Sequence, residues 1–272
     1  MQEAEGGGPA GAVLPREFLA APALEVAPRL LGCVLEHETG EGLVAVALTE
    51  VEAYEGLADP ASHAYRGRTG RNAVMFGEPG HAYVYFTYGM HFCVNLVCRP
   101  EGTASAVLLR AGRVIEGVPL AAARRAAGRN GAGHRAGGPA GPGPGGLGGP
   151  GDRGQPTAVA APGVLSPAVE RELARGPARL CQALGIDRGM DGADVCDPGS
   201  PLRIRSAPEA GSGRPVPEIS HGPRVGISAA ADRPWRFWLT GDPTVSAYRP
   251  YARRARPKVI SPPAGEGGNM HR

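Results

Sequence analysis

The stretch His81–Asn95, HAYVYFTYGMHFCVN, decides how the chain is read. Tyr83 and Tyr85 fall on one face of an extended segment and Phe86 on the other, the period of two that marks a strand. The run HFCVNLVC (91–98) repeats the pattern after Tyr88-Gly89-Met90, a connection short enough for a tight turn. The two runs therefore read as an antiparallel hairpin with Tyr88 at its tip. Aromatics are only 5% of the chain, yet Phe76, Tyr83, Tyr85, Phe86, Tyr88 and Phe92 crowd here. Phe86 and Phe92 are expected to pack a core. A large aromatic at an exposed tip is not core filler, and a face of tyrosines beside it suits base stacking and duplex wedging.

Outward from the hairpin, the elements are mixed. LPREFLAAPALEVAPRLLG (14–32) has helical spacing between Pro15 and Gly32. CVLEHE and GLVAVALTEVEAYEG read as strands joined at Thr39–Gly42, and ASAVLLRAG (104–112) as another. Residues 57–80 are loop-rich. SPAVERELA (166–174) and GPARLCQALGI (176–186) read as helices, RVGIS and RFWLTG as late strands. No βαβ repeat is present, so the expected class is α+β with an antiparallel-rich sheet. Residues 1–13 and 259–272 read as disordered tails. Residues 128–165 are dominated by Gly and Pro and cannot bury enough surface to offset ordering entropy. They read as a disordered insertion within one domain spanning 14–258.

Composition narrows the function. A net charge of +3 and a pI of about 8.7 fit an anionic partner without demanding one. Lys258 is the sole lysine, which leaves almost no amine for Schiff-base chemistry. Cys33, Cys93, Cys98, Cys181 and Cys196 match no zinc spacing. The polar start MQEAEGGGPAG and the lack of a long apolar run predict a cytoplasmic protein with reduced thiols.

Glu50, Glu52 and Tyr54 recur at period two in TEVEAY, so on a strand they share a face. Two carboxylates so placed form an acid/base pair or simply a solvated strand face. Arg110 closes the apolar run AVLLR, either in solvent or aimed into a site. Asn95 sits in a run fit for burial and needs hydrogen-bond partners. Arg66, Arg68 and Arg71, spaced by Gly67 and Gly70, read as a phosphate-contacting loop or a solvated basic one. His63 alone says little.

Taken together, LTEVEAYEGLADPASHAYRGRTGRNAVMFGEPGHAYVYFTYGMHFCVNLVC and then ASAVLLRA resemble the core of the alkyladenine (3-methyladenine) DNA glycosylases. GPARLCQALGI and PRVGISAAADRPWRFWLTGDPTVS resemble later parts of the same family, in the same order. The resemblance implies a single compact mixed domain with a curved sheet, surrounding helices and a protruding β-hairpin. It implies base excision repair: hydrolysis of the N-glycosidic bond of alkylated or deaminated purines in duplex DNA, by a monomer needing no metal or cofactor. It assigns Glu52 as the base that activates water and Arg110 as the arginine beside it. Tyr54, His63 and Tyr85 become the base-sandwiching pocket, Asn95 the residue excluding guanine's amine, and Tyr88 the wedge. Competing readings are an RNA-binding or tRNA-modifying enzyme and a non-catalytic lesion binder. A zinc deaminase lacks its HxE and PCxxC signature here.

Overall fold

The structure is a computed structural model and describes residues 11–87, 91–133, 165–207 and 217–251, the side chains of 129–133 excepted. Its centre is an antiparallel sheet. The strands are β1 (Val34–Thr39), β2 (Gly42–Tyr54), β3 (Ala82–Thr87), β4 (His91–Cys98), β5 (Ser105–Glu116), β6 (Leu202–Arg205), β7 (Ile219–Gly222) and β8 (Arg236–Leu239). Six run in the order β3-β4-β5-β2-β1-β6, while β8 joins β2 and carries β7. Every pairing is antiparallel. The class is α+β with a curled sheet, in agreement with the sequence reading.

The thirteen-residue β2 organises the site. One of its edges bonds β5. The other is divided, Gly42–Ala47 bonding β1 and Glu50–Glu52 bonding β8. Val44, Val46 and Leu48 face the main core, but beyond them it is Val51 and Ala53 that do so. The change of face is a pair of bulges. Leu48 opposes Gly112 and Glu50 opposes Ala111, so Thr49 has no partner on β5; Val51 then opposes Leu109, so Arg110 has none on β2. Unbroken alternation would have aimed Glu50 and Glu52 into the core. The extra residue turns both carboxylates to the opposite face, and the second bulge turns Arg110 with them.

The helices cover the other face. They are α1 (Arg16–Leu19), α2 (Ala23–Arg29), α3 (Val118–Gly133), α4 (Pro167–Glu170) and α5 (Pro177–Leu184). In α5, Leu180, Cys181, Ala183 and Leu184 are buried against β4 and β5, and in α2 Ala23, Val26 and Ala27 face β2. Each such buried leucine contributes about 1.5–3 kcal/mol. A smaller cluster of Met75, Phe76, Tyr83, Val97, Ala104 and Ala106 backs the cavity described below.

Several elements differ from expectation. Residues 14–32 form two helices, because Pro22 lacks an N–H and restrains Ala21. Only Pro167–Glu170 of SPAVERELA is helical. RVGIS is irregular; the strand lies just before it, in β7. The Ala-rich α3 has no counterpart in the sequence reading and runs through Gly133, into the segment expected to be disordered from 128. Ala12 and Val13, expected in the tail, join the sheet edge: Val13 bridges Arg205, and Ala12 O accepts from Ser206 N at 2.9 Å. Phe86 is 37% exposed and leans on Phe92 rather than filling the core. The Tyr88–Met90 turn, residues 134–164 of the expected insertion and residues 252–272 lie outside the described residues.

Candidate active site

A cavity of about 400 Å³ opens on the face to which the bulges turn the polar side chains. Glu52, Tyr54, His63, Tyr85, Asn95 and Arg110 all line it, so six of the residues singled out in the sequence meet in one place. β2 supplies Glu52 and Tyr54, β3 supplies Tyr85, β4 supplies Asn95 and β5 supplies Arg110.

The two carboxylates have different surroundings. Glu50 is fully buried. Its Oε1 accepts from Arg110 Nε (2.7 Å), Arg236 Nε (2.7 Å) and Ser246 Oγ (2.9 Å), and its Oε2 accepts from Ser246 N (2.7 Å). Four donors therefore converge on it, three on Oε1 and one on Oε2. Burial alone would raise its pKa, but the Arg110 and Arg236 guanidiniums and the Ser246 N–H outweigh that and hold it below the usual range. Glu52, at the cavity floor, is engaged less completely. Oε1 accepts from Val225 N (2.7 Å) and pairs with Arg110 Nη1 (3.2 Å); Oε2 accepts from Tyr54 Oη (2.9 Å). Oε2 carries that one hydrogen bond and keeps its second acceptor position open. Arg110 bridges the pair. Burial opposes its charge, but Glu52 and Glu50 on either side more than compensate, so the guanidinium stays protonated.

The walls are aromatic. His63 and Tyr85 rings lie 4.5 Å apart at 72°, and Tyr83 and Tyr85 5.5 Å apart at 33°. His63 Nδ1 bonds Tyr83 Oη at 3.0 Å, and Asn95 Nδ2 donates to Tyr83 O at 3.1 Å. Desolvation, and then the Arg71 guanidinium, hold His63 below the ordinary imidazole value. Burial pushes the Tyr54 and Tyr85 hydroxyls well up, helped by the Glu52 charge at Tyr54 and by Cys93 at Tyr85. These phenols are therefore donors, and Tyr54 keeps its proton on Glu52.

Arg66, Arg68 and Arg71 are exposed on the loop beside this wall, with Tyr65 among them at 47% exposure. The loop is shaped by buried Asn72, whose Nδ2 donates to His63 O (2.9 Å) and Gly67 O (3.0 Å) while its Oδ1 accepts from Thr69 N (2.6 Å). Tyr88 lies outside the described residues.

Sequence reasoning missed the supports. Arg224, 1% exposed, forks onto Asp59 (2.5 and 2.9 Å), donates to Ala53 O (3.0 Å) and stacks 4.5 Å from the Tyr54 ring. It thereby fixes the neighbouring Val225 N–H on Glu52. Arg236 and Ser246 do the same for Glu50. The signal available was a charged residue inside an otherwise apolar or turn-rich run, which by itself does not separate a solvated charge from a buried one. Among the described residues no group of three His, Cys, Asp or Glu could hold a metal ion, no helix is long and apolar enough to cross a membrane, and all five cysteines are unpaired.

The methylpurine-DNA glycosylase family model matches residues 17–243. A protein of Streptomyces avermitilis is 49% identical over 247 residues, 89% of this chain and 95% of its own length. One from Leifsonia xyli subsp. xyli is 47% identical over 239 residues, 86% and 92% of the two chains. One from Mycobacterium tuberculosis is 42% identical over 242 residues, 87% and 95%. All three bear the name "Putative 3-methyladenine DNA glycosylase". With a family model spanning most of the chain and relatives this similar along nearly their whole length, the chain belongs to the methylpurine-DNA glycosylase family.

Proposed function

We propose that this DNA-repair glycosylase excises alkylated or deaminated purines from duplex DNA, with Glu52 as the base that activates water. The observation that carries the reading is a buried carboxylate, with one acceptor position open, at the floor of a cavity walled by aromatic rings. Water cannot reach C1′ of a stacked nucleotide, so the base must leave the helix, at a cost of a few kcal/mol. Tyr88 fills the vacated stack and offsets part of that cost. Tyr54, His63 and Tyr85 hold the extruded base, and a cationic alkylated purine gains roughly 0.5–2 kcal/mol against their faces. A neutral His63 avoids repelling such a base. Asn95 excludes guanine's exocyclic amine, and Arg66, Arg68 and Arg71 contact the phosphates. The Glu52 carboxylate stabilises the oxocarbenium-like sugar and takes the water's proton, while Arg110 holds both carboxylates in place. The products are a free base and an abasic site. With Lys258 as the only lysine, water rather than an amine is the nucleophile, and the enzyme is monofunctional. It acts as a monomer on cytoplasmic, nucleoid-associated DNA.

The test is incubation with duplexes carrying 3-methyladenine, 7-methylguanine, hypoxanthine or ethenoadenine, followed by alkaline cleavage. Strand breaks at the lesion after alkali, and none before it, are expected. Intact strands with every lesion would refute the reading.

A further inference from the structure

A second cleft of about 330 Å³ adjoins the base-sized cavity. Arg110, Pro177, Ala178 and Val225 line both and form the wall between them. Beyond that wall the second cleft is cationic: among the described residues it carries Arg175, Arg179 and Arg249 against one carboxylate, that of Glu172. Arg175 and Arg179 share Glu172, so one negative charge faces two guanidiniums. Arg249 is exposed and has no ion-pair partner among the described residues. Arg110 adds no free charge, because Glu50 and Glu52 flank it. Arg175 is held in place by its Nε bond to Val245 O at 2.9 Å. The cleft thus keeps an excess of about two positive charges on planar, donor-rich groups, the arrangement that suits an oxyanion with several acceptor oxygens.

We propose that this cleft binds one phosphodiester of the substrate strand, the one flanking the nucleotide whose base enters the first cavity. The proposal rests on the function proposed above. A base lodged against Tyr85 and His63 puts its sugar at Glu52, on the side of the cavity that Arg110 and Val225 share with the cleft, and the phosphodiester one bond farther along must leave past that wall. Fixing this phosphate holds C1′ over Glu52 while the base is out of the stack.

The experiment measures equilibrium binding of the full chain to duplexes containing a tetrahydrofuran abasic-site analogue. Single phosphates on either side of the analogue are replaced in turn by neutral methylphosphonate. The wild type is compared with an Arg179→Gln/Arg249→Gln double variant, and with Arg249→Gln alone in case the double variant melts early. One flanking methylphosphonate is expected to weaken wild-type binding about tenfold and the double variant less than twofold, because the charge-assisted contact is already gone. The slope of log affinity against log salt should be shallower by about one per arginine removed. Equal penalties in both proteins at every position, or no position-specific penalty in the wild type, overturn the proposal. Excision of lesion duplexes by the wild type is read in parallel. A wild type that excises nothing defeats the functional reading, whereas one that excises normally, with variants matching it across the methylphosphonate series, defeats the cleft alone.

Discussion

Glu50 and Glu52 leave the same strand on the same face, yet of the two only Glu52 lines the cavity, and Glu50 receives four hydrogen bonds, from Arg110, Arg236 and Ser246, against two on Glu52. Glu52→Gln should keep most of its contacts and lose the proton acceptor. Excision should fall by about 10²–10⁴-fold, while binding to an abasic-site duplex stays within a few-fold of wild type. Single-turnover excision within tenfold of wild type would move the role elsewhere. Glu50→Gln should act on stability instead. It leaves Arg110 and Arg236 buried with too little opposing charge, a loss of about 3–5 kcal/mol when one partner of a buried pair is removed. At about 2–4 °C per kcal/mol for a domain of this size, the melting temperature should drop by roughly 10 °C. An unchanged melting curve would show that the Ser246 bonds suffice without the charge.

At the scale of elements, the paired bulges and the Asn72 loop do the placing. Gly112 sits opposite Leu48, next to the bulge at Thr49 and two residues from Arg110, and a Cβ there would meet Ala47 O at 2.5 Å and overlap Val46 Cγ1. The Ala47 carbonyl cannot move without parting β2 from β5, and Val46 is packed in the main core. Gly112→Ala should therefore destabilise by about 1–3 kcal/mol and lower excision by shifting Arg110. A variant with wild-type melting and activity would mean that the bulge absorbs the methyl. Asn72→Ala strips partners from His63 O, Gly67 O and Thr69 N. A cost of about 1–3 kcal/mol is expected for the groups left unpaired. Since the His63 wall and the arginine loop loosen together, KM for lesion duplex should rise more than kcat falls. The reverse split would place Asn72 in the chemical step.

For the whole molecule, segments far apart in sequence close the site. Ser246 reaches Glu50, and Arg224 reaches Asp59, across more than 160 residues. The pH dependence of stability follows from such buried groups. His37 Nδ1 caps the end of α5 on Leu184 O at 2.8 Å, and burial holds its pKa below 6.5. Below that pH the unfolded chain takes up a proton that the folded chain refuses, so stability falls as pH drops through 6.5 toward the lower folded value. Glu50, held below 4.5, adds a second loss as pH falls from 4.5 toward its own folded value. Urea midpoints from pH 8 to 3 should be level above 7 and then decline in two steps, with His37→Gln reducing the first. A midpoint that rises between 7 and 5.5 would contradict this sign.

The sequence by itself determined the strands β1 to β5, the helix α5 and the face shared by Glu50, Glu52 and Tyr54. Periods of two and 3.6 are local and survive in a single chain read alone. The family, too, was legible from the run between TEVEAY and FCVN. Tertiary structure alone decided that the face carrying Glu52 points away from the core, because the bulge at Thr49 exists only against β5. It also decided that Glu50 is tied to Arg236 and Ser246 while Glu52 lines the cavity, and that Arg224 is buried on Asp59 rather than solvated. Sequence pattern failed for α3, β6 and the irregular segment after β7 for the same reason. Short or weakly amphipathic segments take their conformation from what they pack against and from hydrogen-bond partners distant in sequence, more than 50 residues away for α3 and more than 160 for β6 and the segment after β7.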